Sequence, residues 1–99
     1  MTTSRAVFWT TSFPLSFFFY APWSGLCRMM DPLIDQVAGQ FSGRASCFKM
    51  DTGESPNTLG EYGVRSLPTV KIFKAGREQK TLVGAVNDLT LHGALDDVI

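Results

Sequence analysis

The chain has 99 residues, with nine basic and nine acidic side chains and two cysteines. That length admits one domain with one core and excludes a second, and the zero formal charge supplies no electrostatic footprint for a nucleic-acid backbone or an anionic membrane, so neither partner is expected. Cys27 and Cys47 are too few for a secreted disulfide scaffold and lack the histidines of a zinc site, so a reducing compartment is the default and no metal or cofactor is assigned.

Near the N-terminus, Arg5 followed by Ala6-Val7-Phe8-Trp9, and later by Leu15–Tyr20, imitates the charge and apolar run of a secretory signal. Thr10, Thr11, Ser12, Pro14 and Ser16 interrupt the run and no small-x-small cleavage site follows, which argues against one; a membrane-spanning helix would need about 20 predominantly apolar residues. Leu15–Tyr20 is a short aromatic run ending at Ala21-Pro22, the pattern of a strand buried on both faces of a parallel sheet. Residues 26–41 carry Met30, Leu33, Ile34, Val37, Ala38 and Phe41 at the spacing of one helix face, with Pro32 as an expected kink and Gly43 as the stop. Ala45–Met50 predicts a second strand, and Asp51-Thr52-Gly53-Glu54-Ser55-Pro56 a turn into a short helix ending near Gly63. Thr69–Phe73, a turn at Lys74-Ala75-Gly76-Arg77 and Lys80–Val83 predict an antiparallel hairpin, with a bulge at Gly84. Asn87 caps a last helix in which Leu91, Ala94, Leu95 and Val98 share a face. Strand–helix alternation followed by a hairpin and a helix is the pattern of an α/β class mixed sheet with helices on both sides.

Chemistry concentrates at Ala21-Pro22-Trp23-Ser24-Gly25-Leu26-Cys27-Arg28-Met29, which joins a buried strand to a helix and sets polar atoms at the helix N-terminus. This segment is similar to the thioredoxin signature Trp-Cys-Gly-Pro-Cys-Lys. Further matches follow in order: Asp51-Thr52 with Glu54-Ser55-Pro56, Tyr62-Gly63-Val64-Arg65-Ser66-Leu67-Pro68-Thr69, Phe73 with Gly76, and Val83-Gly84-Ala85-Val86. Together they resemble the m-type thioredoxins of plants and bacteria over Pro14–Ile99. The resemblance implies a thioredoxin-like mixed sheet flanked by helices, protein-disulfide oxidoreductase chemistry, and a chloroplast stroma or bacterial cytoplasm as its setting. It divides the chain into a domain at 14–99 and an N-terminal extension or remnant at 1–13.

In that family the first signature cysteine lies at a helix N-terminus, where the dipole lowers its pKa and frees a thiolate for attack on a disulfide. Here that position is Ser24, whose hydroxyl forms no sulfur–sulfur bond, so the resemblance implies that dithiol exchange is lost. Cys27 matches the second, resolving cysteine. Three readings stay open for it: an inert buried side chain, a monothiol nucleophile resolved by an external thiol, or part of a redox-inactive partner-binding module. Phe18 falls where the family has a buried aspartate that assists proton transfer, and Phe18 cannot act as a base. Lys49 resembles the lysine beneath the site and is read as a solvated or locally paired side chain; Leu26 replaces the proline between the two cysteine positions. Pro68 resembles the family's cis-proline, which holds neighbouring backbone open to an extended substrate peptide.

The resemblance also implies a shallow apolar face for protein substrates or partners, formed by Trp23, Gly25, Val64-Arg65-Ser66-Leu67, Pro68 and Gly84, with a thioredoxin reductase among the implied partners. Cys47 is read as a half-buried apolar residue of the second strand, and His92 as a surface residue of the last helix. Only thirteen residues precede Pro14, too few for the strand and helix that open the family fold, so both are expected to be missing; an incomplete gene would give the same shortfall. Ala6-Val7-Phe8-Trp9 supplies at most one short strand. One face and one edge of the sheet are then less protected, which predicts reduced stability and opens the edge to dimerisation.

Overall fold

In the computed structural model, which describes residues 13–52 and 60–99, the aromatic run forms β1 (Leu15–Tyr20), buried over its first five residues. Pleating sends its side chains alternately to two clusters. Phe18 joins one core, while Leu15, Phe17 and Phe19 join another across the sheet. After β1 come α1 (Gly25–Gln40), β2 (Ser46–Asp51), β3 (Thr69–Lys74), β4 (Arg77–Val83) and α2 (Asp88–Val98). The sheet order is β2-β1-β3-β4. β1 runs parallel to β2, with Phe17 opposite Phe48, and antiparallel to β3, with Phe18 opposite Val70. The expectation of a parallel sheet around β1 is therefore corrected to one parallel and one antiparallel neighbour. Burial on both faces makes a strand's apolar run continuous whichever way its neighbours point, so the run does not report direction.

Pro32 lies inside α1 without ending it. Gly43 is in the left-handed region at φ +83°, two residues beyond the Phe41 C-cap. Phe41 itself is fully buried, and it binds the two helices together. The His92 ring of α2 lies 4.7 Å from its ring, and the Arg44 guanidinium is 4.7 Å above it. His92 is thus half-buried against an aromatic ring rather than the surface residue its helix position implied. Both helices contribute to the same core, α1 through Met30, Ile34 and Val37 and α2 through Leu91, Ala94, Leu95 and Val98, which meet Val70 and Ile72 of β3. On the opposite face, Tyr62 and Val64 cover Phe17, Phe19 and Phe73. Val64 is therefore core, a correction to its expected place on an exposed apolar surface. The short strand expected at Ala6–Trp9 and residues 53–59 of the helix expected before Gly63 lie outside the described residues.

The β3–β4 hairpin turns at Ala75-Gly76, both with positive φ (55° and 77°). A two-residue loop needs this hand to match strand twist. The register slips between Ile72, opposite Lys80, and Phe73, opposite Glu78, so the extra residue is Gln79. The bulge expected at Gly84 is accordingly within β4; Gly84 instead takes φ +85° and donates its N–H to the Pro68 carbonyl at 2.8 Å. Lys71 is buried on β3, and its Nζ donates to Glu78 Oε1 at 2.8 Å and to Thr81 Oγ1 at 3.3 Å, while Thr81 Oγ1 donates to Glu78 Oε2 at 2.5 Å. These hydrogen bonds, from Lys71 first and Thr81 second, hold the Glu78 carboxyl below its ordinary pKa.

Two expectations follow from the hairpin. Alanine is strained in the left-handed region where asparagine is tolerated, so Ala75→Asn raises stability by about 0.5–1 kcal/mol in urea unfolding. A carboxyl whose pKa is lowered on folding contributes stability that is complete above its unfolded value and lost as pH falls through its folded one. Glu78→Gln therefore costs about 1 kcal/mol at pH 7, limited by the partial exposure of Glu78, and the parent and variant converge as pH drops below the carboxylate range.

Candidate functional site

β1 ends at Tyr20, whose carbonyl accepts both the N–H of Thr52 at 2.9 Å and its hydroxyl at 3.0 Å. The chain then turns through Ala21, whose carbonyl accepts the Ser24 N–H at 3.1 Å, and α1 begins. Ser24 is the N-cap, with extended backbone (φ −85°, ψ 122°), and its Oγ accepts the Cys27 N–H at 3.4 Å. Serine suits this place because a short hydroxyl reaches an otherwise unpaired amide of the first turn. Cys27 lies one turn into the helix, 1% exposed, within the core that holds Phe18, Met30 and Val70. Both cysteines are free thiols. Burial raises the pKa of Cys47 on β2.

Trp23 is 76% exposed beside this cap, with Leu26 and Met29 also exposed on the first turns of α1. Gly25 is open, with nothing within 4 Å of where a Cβ would stand. The Leu67–Pro68 peptide is cis. Phe19 of β1 faces Thr69, and Thr69 faces Val83, so the end of β1, the start of β3 and the end of β4 share one end of the sheet. Trp23, Ser24 and Gly25 follow the first of these, Leu67 and Pro68 precede the second, and Gly84 follows the third. The Gly84 N–H to Pro68 carbonyl bond ties two of those segments together. Pro68 is fully buried and Leu67 half-buried, leaving Trp23 and Gly25 as the open members of the group.

Polar residues beneath this end form an arrangement that one-residue-at-a-time reading missed. Lys49 Nζ on β2 is 2.7 Å from Asp31 Oδ1 and 2.8 Å from Asp35 Oδ1, both on α1. Hydrogen bonds to Asp31 first and Asp35 next raise the Lys49 pKa. Phe18 carries no charge to this place; its ring stacks on Tyr20 at 5.4 Å. An open cavity of about 300 Å³ lies here, lined by Tyr20, Ala21, Cys27, Arg28, Asp31 and Lys49. The signal for the acids was present as an i, i+4 pair, Asp31 and Asp35, continuing the same spacing from Cys27. Among the described residues, no group of three or more histidines, cysteines or carboxylates could hold a metal ion, and no helix is long and apolar enough to cross a membrane.

The thioredoxin family model matches residues 14–97. The chain belongs to the thioredoxin family. Thioredoxin 1 of Synechococcus elongatus is 44% identical over 86 residues, covering 87% of this chain and 80% of that protein. The chloroplastic M-type thioredoxin of Chlamydomonas reinhardtii is 42% identical over 89 residues, 90% of this chain and 64% of its own. That of Pisum sativum is 46% identical over 81 residues, 82% of this chain and 47% of its own. The chain thus spans less than two-thirds of the length of these two chloroplastic relatives. Among solved structures, a thioredoxin variant from Halobacterium salinarum superposes with a TM-score of 0.86 at 28% identity, over 99% of this chain and 84% of that one. The m-type resemblance and the thioredoxin-like fold read from the sequence both hold.

The cap is directly testable. Ser24→Ala removes the acceptor for the Cys27 N–H and lowers stability by about 0.5–1 kcal/mol, whereas Ser24→Gly costs only a few tenths; chemical denaturation of the three proteins measures the difference.

Proposed function

We propose that this chain is a thioredoxin-like protein that has lost dithiol exchange and keeps a partner-binding face. The observation that carries this reading is the Ser24 hydroxyl, spent as the N-cap acceptor at the position from which a thiolate would attack. An oxygen there forms no mixed disulfide, and the thiol that remains, Cys27, is buried. The binding face is centred on the exposed Trp23 and Gly25, with the half-buried Leu67 and Gly84 at its edge and the buried cis Pro68 fixing the backbone beneath it. Trp23 offers a large exposed ring suited to a protein partner, and the partners are protein substrates of the family's kind, a thioredoxin reductase among them. The functional domain is residues 14–99, with 1–13 as an extension or remnant, and a sheet edge serves as a dimer contact. The chloroplastic names of the plant and algal relatives and the cyanobacterial relative are in keeping with a chloroplast stroma or a bacterial cytoplasm as its setting.

A second reading has its own support. Cys27 lines an open cavity, so a monothiol chemistry, in which Cys27 forms a mixed disulfide and an external thiol resolves it, remains structurally served.

Reduction of insulin disulfides by dithiothreitol distinguishes the two. The parent is expected to match the dithiothreitol baseline while Ser24→Cys rises clearly above it, because a sulfur nucleophile at the helix N-terminus forms the mixed disulfide that Ser24 cannot. A parent rate above baseline that Cys27→Ser abolishes would overturn loss of activity and establish the monothiol enzyme.

A further inference from the structure

The two edges of the sheet offer different things to a partner. β4 is interrupted by the Gln79 bulge and carries Arg77, Glu78 and Lys80 along its length, features that keep an edge from pairing. β2, the outer strand on the other side among the described residues, runs against β1 in unbroken register from Ser46 to Asp51. The Ser46 N–H donates to the Pro14 carbonyl at 3.0 Å and the Thr52 N–H to the Tyr20 carbonyl at 2.9 Å. Backbone groups of successive residues point to opposite sides of a strand, so the even-numbered residues of β2 face β1 and the N–H and C=O of Cys47 and Lys49 face outward. Those outward groups have no backbone partner among the described residues. A lysine on an edge strand usually guards it by holding a hydrated charge in the path of an incoming strand. Lys49 does not, because its ammonium is drawn back to α1 by Asp31 at 2.7 Å and Asp35 at 2.8 Å. Cys47, Phe48 and Met50 make most of the remaining strand apolar and half-buried.

We propose that β2 pairs antiparallel with β2 of a second copy of this chain, about a two-fold axis at Phe48, joining two four-stranded sheets edge to edge. The proposal rests on the edge contact above and names the edge and its partner. Outward groups must meet outward groups, which limits the registers. With the axis at Phe48, Cys47 lies opposite Lys49 of the second copy and exchanges N–H···O bonds with it in both directions, and the symmetry repeats the pair. Ser46 then faces Met50 of the second copy, and Phe48 faces its own equivalent at a position where opposed side chains come closest. An axis at Lys49 would set like charges directly opposite each other, and an axis at Cys47 or Met50 would carry one outward pair beyond the end of β2. The zero formal charge gives two copies no net repulsion. One strand pair buries less than the roughly 1,200–2,000 Å² of a stable complex, so the dimer is weak and forms with rising concentration.

Sedimentation velocity and residue-resolved hydrogen exchange on the full chain, with both thiols kept reduced, test this between about 10 μM and about 1 mM, the span in which so small an interface saturates. Raising the concentration is expected to convert monomer to dimer and to slow exchange at the Cys47 and Lys49 amides about tenfold, while the Phe48 amide, which faces β1, is unchanged. Lys49→Ala, which keeps the N–H, dimerises like the parent, and Lys49→Pro, which removes an N–H that β1 does not use, stays monomeric. If Lys49→Pro does not fold, the exchange pattern of the parent decides. A dimer that persists in a folded Lys49→Pro and protects the β4 amides instead overturns this proposal and leaves the edge contact standing, whereas a monomer at every concentration overturns both. Cys47 and Lys49 amides protected equally at both ends of the range would place a segment of the same chain on this edge, and that too overturns the proposal.

Discussion

The pairing of β1 on both sides, to β2 in parallel and to β3 in antiparallel register, is the constraint from which the site follows. Because its Phe side chains are packed into cores above and below the sheet, the strand cannot slip by one residue without reversing every buried side chain. Its end at Tyr20 is held by two hydrogen bonds from Thr52. The turn at Ala21 and the first turn of α1 inherit their position from that end. The cis Leu67–Pro68 segment arrives beside it because β3 pairs antiparallel to the same strand.

Structure and chemistry separate at Ser24. As a cap, serine serves a helix N-terminus at least as well as any residue, so the geometry around the site requires no cysteine. As a nucleophile toward sulfur it contributes nothing. The same separation holds at Phe18, which stacks on Tyr20 and fills the core but offers no proton acceptor. Charge at this end of the sheet comes from Arg28, Asp31, Asp35 and Lys49 instead, and the Lys49 ammonium ties β2 to α1 across two carboxylates. Exposed pairs of this kind add little to stability.

Much of this was legible along the chain. Asn87, whose side chain accepts the Thr90 N–H at 2.9 Å, and the Ala75-Gly76 turn were readable because capping and turn formation are local. The order of motifs from Trp23 to Gly84 carried the family, and with it the cis Pro68. Illegible were the pairings between distant segments: Lys49 with Asp31 and Asp35, His92 against Phe41, and Val64 in the second core. The Gln79 bulge also escaped, since a run of polar residues on an edge strand marks no particular position for an extra residue.

By itself the sequence determined the class of fold, the Asn87 cap, the hairpin, and the replacement of a sulfur nucleophile by oxygen at residue 24, all read from single residues or from short local patterns. Only the tertiary structure decided which strands run together, where Lys71 and Lys49 find their carboxylates, and that Cys27 borders a charged cavity. Those outcomes depend on which side chains meet when sheet and helices pack. A linear pattern states that a face is apolar or charged; the partner across the gap is chosen by register and by the angle at which the elements cross.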